Sequence, residues 1–433
     1  MIPEPICAPA TPPLPSAVAL VRVSGTGLAD RLAPLLALPE PRVASLRTLR
    51  WDGFRERALV LFFPAPASYT GEDLVELQVH GNPLLVRRLV DRLGALGIRL
   101  AEPGEFTRRA LLNGKQDLLE AEALRDLVAA ETDTQLRLAQ ARAGGLPDWI
   151  REAREALAPW VARAEATVDY GEEEGILLNL DGLKEGLAPV GRRFHVEQAR
   201  SRAAQHLQGG LRLALVGRPN AGKSTLFNAL AGEDRAIVTD LPGTTRDVLE
   251  VRCEWRGLPL RLYDTAGLRD TEDPVERLGV ARVRPVLERA DLILHLWPAP
   301  DPEPDPALRA ALAPFPGKVL EVRTFADLAE VAGVAVAALR GELDALEAAL
   351  RERILGGLGP EACLGALGTE RQGALLEELA RQFDLLAEVA PDAPPELVAS
   401  LLQGAWGLLA RLTGEDRAEG TLDALFSGFC LGK

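Results

Sequence analysis

Histidine, cysteine and methionine are scarce in this chain, and the first two shortages each close a class of chemistry. There are four histidines and four cysteines (Cys7, Cys253, Cys363, Cys430) in 433 residues, with no Cys-x-x-Cys spacing. Neither a disulfide framework nor a zinc site is indicated. No run of 18 or more uncharged apolar residues occurs and no basic-plus-apolar leader opens the chain, so the sequence predicts a soluble, cytoplasmic protein with no membrane segment. Positive charge is also in deficit. A formal net charge of −14 argues against non-specific nucleic-acid binding through bulk charge, so any RNA contact must use a local basic patch or a partner.

What is present falls into zones. The length predicts two or three domains, and 47% hydrophobic residues suffice for several cores. Residues 1–115 mix strand-like stretches (18–23, 58–63, 75–79) with a helix over 84–96. Residues 116–208 are helical, with apolar spacing of three and four across 118–141 and 149–168. Residues 209–356 alternate strand and helix, as a parallel sheet with crossover helices requires. Residues 357–433 turn helical again. The α/β segment is thus inserted between two helical stretches, which pack most simply as one helical domain. The acidic run 169–174 interrupts the helix pattern and reads as a solvated loop, and 298–306 reads as a proline-studded surface loop.

Residues 217–224 read Gly217-Arg218-Pro219-Asn220-Ala221-Gly222-Lys223-Ser224, a complete G-x-x-x-x-G-K-[ST] phosphate loop. It follows an apolar, strand-like run (211–216) and precedes Thr225 and a helix-like stretch to 230. The glycines let backbone N–H groups wrap a β-phosphate, and the helix N-terminus adds its positive dipole end. Lys223 would bridge the β- and γ-phosphates, and the Ser224 hydroxyl would ligate Mg²⁺.

Three more parts follow in order. The first is Thr239-Asp240-Leu241-Pro242-Gly243-Thr244-Thr245, a loop whose Thr245 can complete the Mg²⁺ shell and sense the γ-phosphate. The second is a strand over 260–264 ending in Asp264-Thr265-Ala266-Gly267. There Asp264 would hold Mg²⁺ through water, and Gly267 would donate its N–H to the γ-phosphate. The third is the strand-like run 290–296. Together these parts describe a phosphoryl-transfer GTPase domain.

Guanine is read in such domains by an Asn-Lys-x-Asp motif after a strand. Here the strand 319–323 leads into Thr324-Phe325-Ala326-Asp327. Two readings of Asp327 stay open: an acceptor for the N1–H and exocyclic amine of guanine, or the N-cap of a helix over 328–330. Thr324 stands where the amide belongs, and Phe325 offers a ring that would stack on the base. The nearest candidate for the last nucleotide loop is Ala337-Ala338-Leu339-Arg340-Gly341.

These motifs join two dense strings, 69–77 with 80–83 and 103–118, and the closing Phe429-Cys430-Leu431-Gly432-Lys433. Over essentially the whole chain they resemble the MnmE (TrmE) family of bacterial tRNA modification GTPases. The resemblance implies an N-terminal α+β folate-binding and dimerisation domain (1–115), a discontinuous helical domain (116–208 and 357–433) and an inserted Ras-like G domain with a mostly parallel sheet (209–356). It implies a homodimer, a heterotetramer with the FAD-dependent partner MnmG, and tRNA as substrate. The pair would install an aminomethyl or carboxymethylaminomethyl group on C5 of the wobble uridine.

The resemblance also implies cofactors and roles. A tetrahydrofolate derivative, 5-formyl- or methylene-tetrahydrofolate, would be held by Arg22, Glu76, Lys115 and Lys433, whose charges suit its glutamate tail and pterin donors. K⁺ would sit beside GTP and Mg²⁺ on Asn220, Thr239, Leu241 and Thr244. Glu276 would orient the attacking water, and Cys430 would act in the modification chemistry. The turn Leu14-Pro15-Ser16-Ala17 departs from the family's glycine-rich one, and Thr324–Asp327 departs from its guanine motif. The second departure favours an alternative, a scaffold whose G domain has lost guanine specificity. A ribosome-assembly GTPase switch is a third reading, and such proteins lack the folate-like N-terminus and the Phe-Cys-x-Gly-Lys end.

Overall fold

The structure, a computed structural model, describes residues 4–12, 15–174, 178–232, 237–239, 249–264, 279–301, 303–329, 331–415, 426, 428–429 and 432. The chain divides into two compact units: Met1–Arg125 with Thr413–Lys433, and Asp126–Leu412.

The first unit is built on six strands, β1 (Ile6–Pro9), β2 (Ser16–Gly25), β3 (Ser45–Trp51), β4 (Phe54–Phe63), β5 (Asp73–Gly81) and β6 (Arg99–Leu100), in the order β3-β4-β5-β2-β1-β6. Every pairing is antiparallel except β1 with β6. Period-two alternation sets the two faces. Along β2, Ala19, Val21 and Val23 are buried and join a core with Leu28 and Leu32 of helix α1 (Leu28–Leu32) and Leu89 and Leu93 of α2 (Pro83–Ala95). The Asn82 side chain caps α2, accepting from the N–H groups of Leu84 and Leu85, and proline opens the helix, where it has no N–H to waste. Arg22 alternates to the opposite face, towards Phe106 of α3 (Glu105–Leu112). Helix α4 (Leu118–Ala129) follows, and its Leu118 and Ala121 pack with Leu111, Phe426 and Phe429, which draws the end of the chain into this unit.

The second unit opens with α5 (Asp133–Arg142), α6 (Asp148–Glu174) and α7 (Leu180–Gly209). The α/β part then runs β7 (Leu211–Gly217), α8 (Lys223–Ala231), β8 (Ile237–Thr239), β9 (Leu249–Trp255), β10 (Leu258–Asp264), α9 (Gly279–Arg289), β11 (Leu292–Pro298), α10 (Pro306–Leu312), β12 (Val319–Thr324), β13 (Val334–Ala335) and α11 (Asp344–Leu355). Helices α12 (Glu370–Glu388) and α13 (Pro395–Thr413) close it. The sheet order is β13-β12-β11-β7-β10-β9-β8, parallel from β13 to β10, with β9 and β8 antiparallel. This is the mostly parallel sheet with crossover helices expected from the alternating pattern.

The helical and α/β parts of this unit share a core. Leu138 of α5 and Ala203, Ala204 and Leu207 of α7 pack in one cluster with Leu211, Leu213, Leu260 and Leu262 of the sheet. Phe194 of α7 stacks on Phe383 of α12 at 5.0 Å between ring centroids. The acidic run 169–174 is not a loop: α6 continues through it to Glu174. Glutamate is a good helix former, and one glycine at 171 costs only about 1 kcal/mol, too little by itself to end a long helix. Among the described residues no helix is long and apolar enough to cross a membrane. Cys7, Cys253 and Cys363 are buried thiols; burial pushes Cys7 up to about 12 and Cys253 up to about 11, which makes them small apolar fillers.

Candidate functional site

The phosphate loop leaves the C-terminal end of β7 at the middle of the sheet, the position where parallel α/β sheets bind ligands. Its residue types follow from its backbone. Asn220 has φ +63° and Gly222 φ +80°, left-handed conformations that asparagine tolerates and glycine adopts without strain. A Cβ on Gly217 would lie 2.6 Å from the Leu296 carbonyl oxygen, so β7 and β11 close only over glycine here.

Lys223 is buried and donates to the Gly217 and Arg218 carbonyls at 3.0 and 2.7 Å, which holds its ammonium inside the loop. No side chain caps α8, so its first N–H groups face outward as donors, and Ser224 is exposed beside them. Thr225 and Ala221 lie in the same stretch, and Asp264 ends β10 next to β7, in register with Leu215. Thr239 ends β8 at the far edge of the sheet. The arrangement can hold a polyphosphate in a ring of backbone N–H groups, with an ammonium, a hydroxyl and a carboxylate-bearing strand end around it.

The expectations on Asp240, Leu241, Pro242, Gly243, Thr244, Thr245, Thr265, Ala266, Gly267, Glu276, Cys430 and Lys433 lie outside the described residues. The same holds for the side chains of Thr239 and Asp264.

The base-reading turn is tied to the phosphate loop. The buried Thr324 hydroxyl donates to the Ala221 carbonyl at 2.9 Å. Thr324 Cβ and Phe325 Cζ lie 3.3 and 3.5 Å from where a Gly222 Cβ would sit, so both side chains close over the loop's last glycine. Among the described residues Asp327 caps no helix. Residues 326–328 form a turn, and its carboxylate pairs with Arg340, Nε to Oδ2 at 3.6 Å. The pattern Asp-Leu-Ala-Glu is locally compatible with a helix start, but Leu328 N–H donates back to the Phe325 carbonyl at 2.9 Å and closes a turn around Asp327. Sequence reasoning had no signal for the Thr324 tie beyond the residue's place in the motif, and it named Arg340 without a role.

In the first unit the structure brings a second set of predicted residues together. Arg22 and Glu76 are direct cross-strand partners of β2 and β5. Arg22 Nε and Nη2 both donate to Glu76 Oε1, at 3.1 and 2.8 Å, which leaves Oε2 without a hydrogen-bond partner among the described residues. Arg22 Nη1 donates to the Gly432 carbonyl at 3.4 Å, and its guanidinium lies over the rings of Tyr69 and Phe106, 5.5 and 5.9 Å from their centroids. Lys115 is exposed, and its stem passes Gly71, whose added Cβ would meet Lys115 Cγ at 3.2 Å.

A charge network, buried except at Arg99, lies in the same unit. Arg109 bonds Glu72 at 3.0 Å and Glu105 at 2.9 Å, and Arg99 bonds Glu105 at 2.6 Å. Burial works to raise the Glu105 carboxyl, but hydrogen bonds from Arg99, the Glu102 N–H and Arg109 outweigh it and hold Glu105 down at about 2.

Two family models match the chain: the N-terminus of the GTP-binding protein TrmE over residues 5–115, and the MnmE helical domain over residues 118–430. The chain is 41% identical to the tRNA modification GTPase MnmE of Thermus thermophilus, over 99% of both chains. It is 42% identical to the MnmE of Acidiphilium cryptum, over 96% of both, and 44% identical to that of Methylorubrum populi, over 99% of this chain and 98% of the relative.

Proposed function

The chain belongs to the MnmE family of tRNA modification GTPases, and from that premise we propose that it hydrolyses GTP to drive tRNA modification. The carrying observation is the phosphate loop itself, with Lys223 held inside it, α8 uncapped and Thr324 tying the base turn to it. Oxygen donors suit a hard divalent ion, so Ser224, Thr245 and Asp264 are the residues that would hold Mg²⁺, which supplies charge neutralisation to the phosphates. Asn220, with the loop residues Thr239, Leu241 and Thr244, would hold K⁺, which would supply further positive charge to the phosphates. Lys223 neutralises developing charge on the phosphates, and Glu276 orients the attacking water.

The cross-strand pair of the first unit supports the folate reading. Glu76 Oε2 can accept from pterin N–H donors, and Arg22, Lys115 and Lys433 match the carboxylates of a glutamate tail. On this reading a tetrahydrofolate derivative provides the one-carbon unit, Cys430 acts in the modification chemistry, and the protein works in the cytoplasm as a homodimer with MnmG on C5 of the wobble uridine. The intact set of Asn220, Thr245, Asp264 and Glu276 speaks against a G domain kept only as a scaffold.

Steady-state hydrolysis of GTP, ATP and XTP in KCl and in NaCl tests the reading. Potassium-stimulated turnover that prefers GTP is expected, with turnover but not binding lost in Glu276→Ala. No turnover with any of the three would favour the scaffold.

A further inference from the structure

Two turns meet beyond the C-terminal end of β12. Val336 N–H donates to the Arg323 carbonyl at 2.8 Å and Ala326 N–H to the Val336 carbonyl at 3.1 Å, so the turn 326–328 and the single 3₁₀ turn Ala338–Arg340 are held as a pair by backbone. Across that pair Arg340 reaches Asp327 through one oxygen, Oδ2.

The side chains before Asp327 have little left for a base edge. Phe325 has no polar atom, and the Thr324 hydroxyl proton is committed to Ala221. Phe325 holds φ +57°, an uncommon conformation for an aromatic residue that persists only where the surroundings impose it. The two most exposed large apolar side chains among the described residues are Leu339, at 85%, and Leu328, at 68%. Each is the chain neighbour of one member of the ion pair. Exposed apolar side chains next in the chain to a charged pair suit a flat heteroaromatic ring with polar edges.

Resting on the guanine-nucleotide reading above, we propose that Arg340 is a specificity-determining positioning residue: it fixes the Asp327 carboxylate so that both oxygens meet the N–H edge of guanine. An aspartate on a turn is otherwise free to rotate about two side-chain bonds, and a two-point contact requires one orientation. Each carboxylate oxygen has two acceptor sites, so Oδ2 serves Arg340 and the base together.

The test is equilibrium binding of GDP and IDP to the full-length protein. IDP lacks the 2-amino group, so the ratio of its Kd to that of GDP reads the second hydrogen bond and little else. The wild type is expected to prefer GDP roughly tenfold, a ratio of the size one charge-assisted hydrogen bond supplies. Arg340→Ala and Arg340→Gln should bring the ratio down to about two, Arg340→Lys should restore most of it, and Asp327→Ala should abolish it. Arg340 is largely exposed, so these variants keep the fold, which far-UV circular dichroism checks. A ratio that collapses in Asp327→Ala but survives in Arg340→Ala and Arg340→Gln overturns this proposal and leaves the nucleotide reading intact. A wild type that binds neither nucleotide, or does not discriminate between them, overturns both.

Discussion

The phosphate loop and the base-reading turns are neighbours in the second unit, yet they encode their chemistry in different ways. The loop acts through backbone: N–H groups at the start of α8, carbonyls that hold Lys223, left-handed residues at 220 and 222, and a strand contact at Gly217 too close for any Cβ. Few residue types satisfy those conditions, so the loop carries a spelling. The base turns act through side chains. At 324 a threonine makes a buried bond to the loop, and at 340 an arginine pairs with the aspartate. The first unit lies further along the same scale, with Arg22–Glu76 and Arg109–Glu72 matched as charges across elements. A site made of backbone is recognisable by its letters, whereas a site made of side chains is recognisable only by its positions.

The largest effect should come from removing the one side chain on which the backbone-held half depends. Lys223→Ala should lower kcat/KM for GTP by about 10²–10³-fold, the scale of losing one preorganised charge donor, in steady-state assays. Thr324→Val, which leaves the Ala221 carbonyl without its donor, should cost about 1–3 kcal/mol and act on GDP and IDP affinity alike, with Thr324→Ser recovering most of it. A Thr324→Val loss as deep as that of Lys223→Ala would erase the distinction between the two halves.

Acid separates the units by an effect of similar size. Glu105 sits at about 2 in the folded state, below its ordinary value of 4.5. A lowered carboxylate contributes stability that is present above its unfolded value and is lost as pH falls through the folded one, here from about 4.5 towards about 2. The contribution is on the order of 2–3 kcal/mol. Glu105→Gln should therefore be less stable than the wild type at pH 6, and the gap should close across that window when denaturant unfolding is followed at pH 2–6. A gap independent of pH would place the role of Glu105 in packing and not in charge.

The same contrast explains what could be read in advance. The strands at 211–216 and 260–264 and the helix after Lys223 are where the pattern puts them, because central parallel strands are buried on both faces and show as apolar runs. The pairing of Arg22 with Glu76 was not legible, since cross-strand partners 54 residues apart depend on register, which no local pattern fixes. Two local readings failed for related reasons. The acidic run looked like a helix break and is helix, and Asp327 fitted a helix cap and instead sits in a turn. In the first, a glycine penalty of about 1 kcal/mol is too small to end a long helix, and in the second the Leu328 N–H closes a turn onto the Phe325 carbonyl.

The smallest expected effect is the most pointed, because it joins the two halves at one atom. Gly222→Ala places a methyl where Thr324 Cβ lies 3.3 Å and Phe325 Cζ 3.5 Å away, at φ +80°. Gly356→Ala places the same methyl at φ +59°, at the C-terminus of α11, with nothing within 4 Å. Both should lose about 1–2 kcal/mol to left-handed strain in denaturant unfolding. Only Gly222→Ala should also weaken GDP binding, by severalfold, since its methyl pushes on the two residues that close the base turn over the loop. If both variants lose stability equally and neither loses affinity, the turn and the loop bind independently and Thr324 is a local staple. If affinity falls in Gly222→Ala alone, the backbone-held half sets the position of the side-chain-held half.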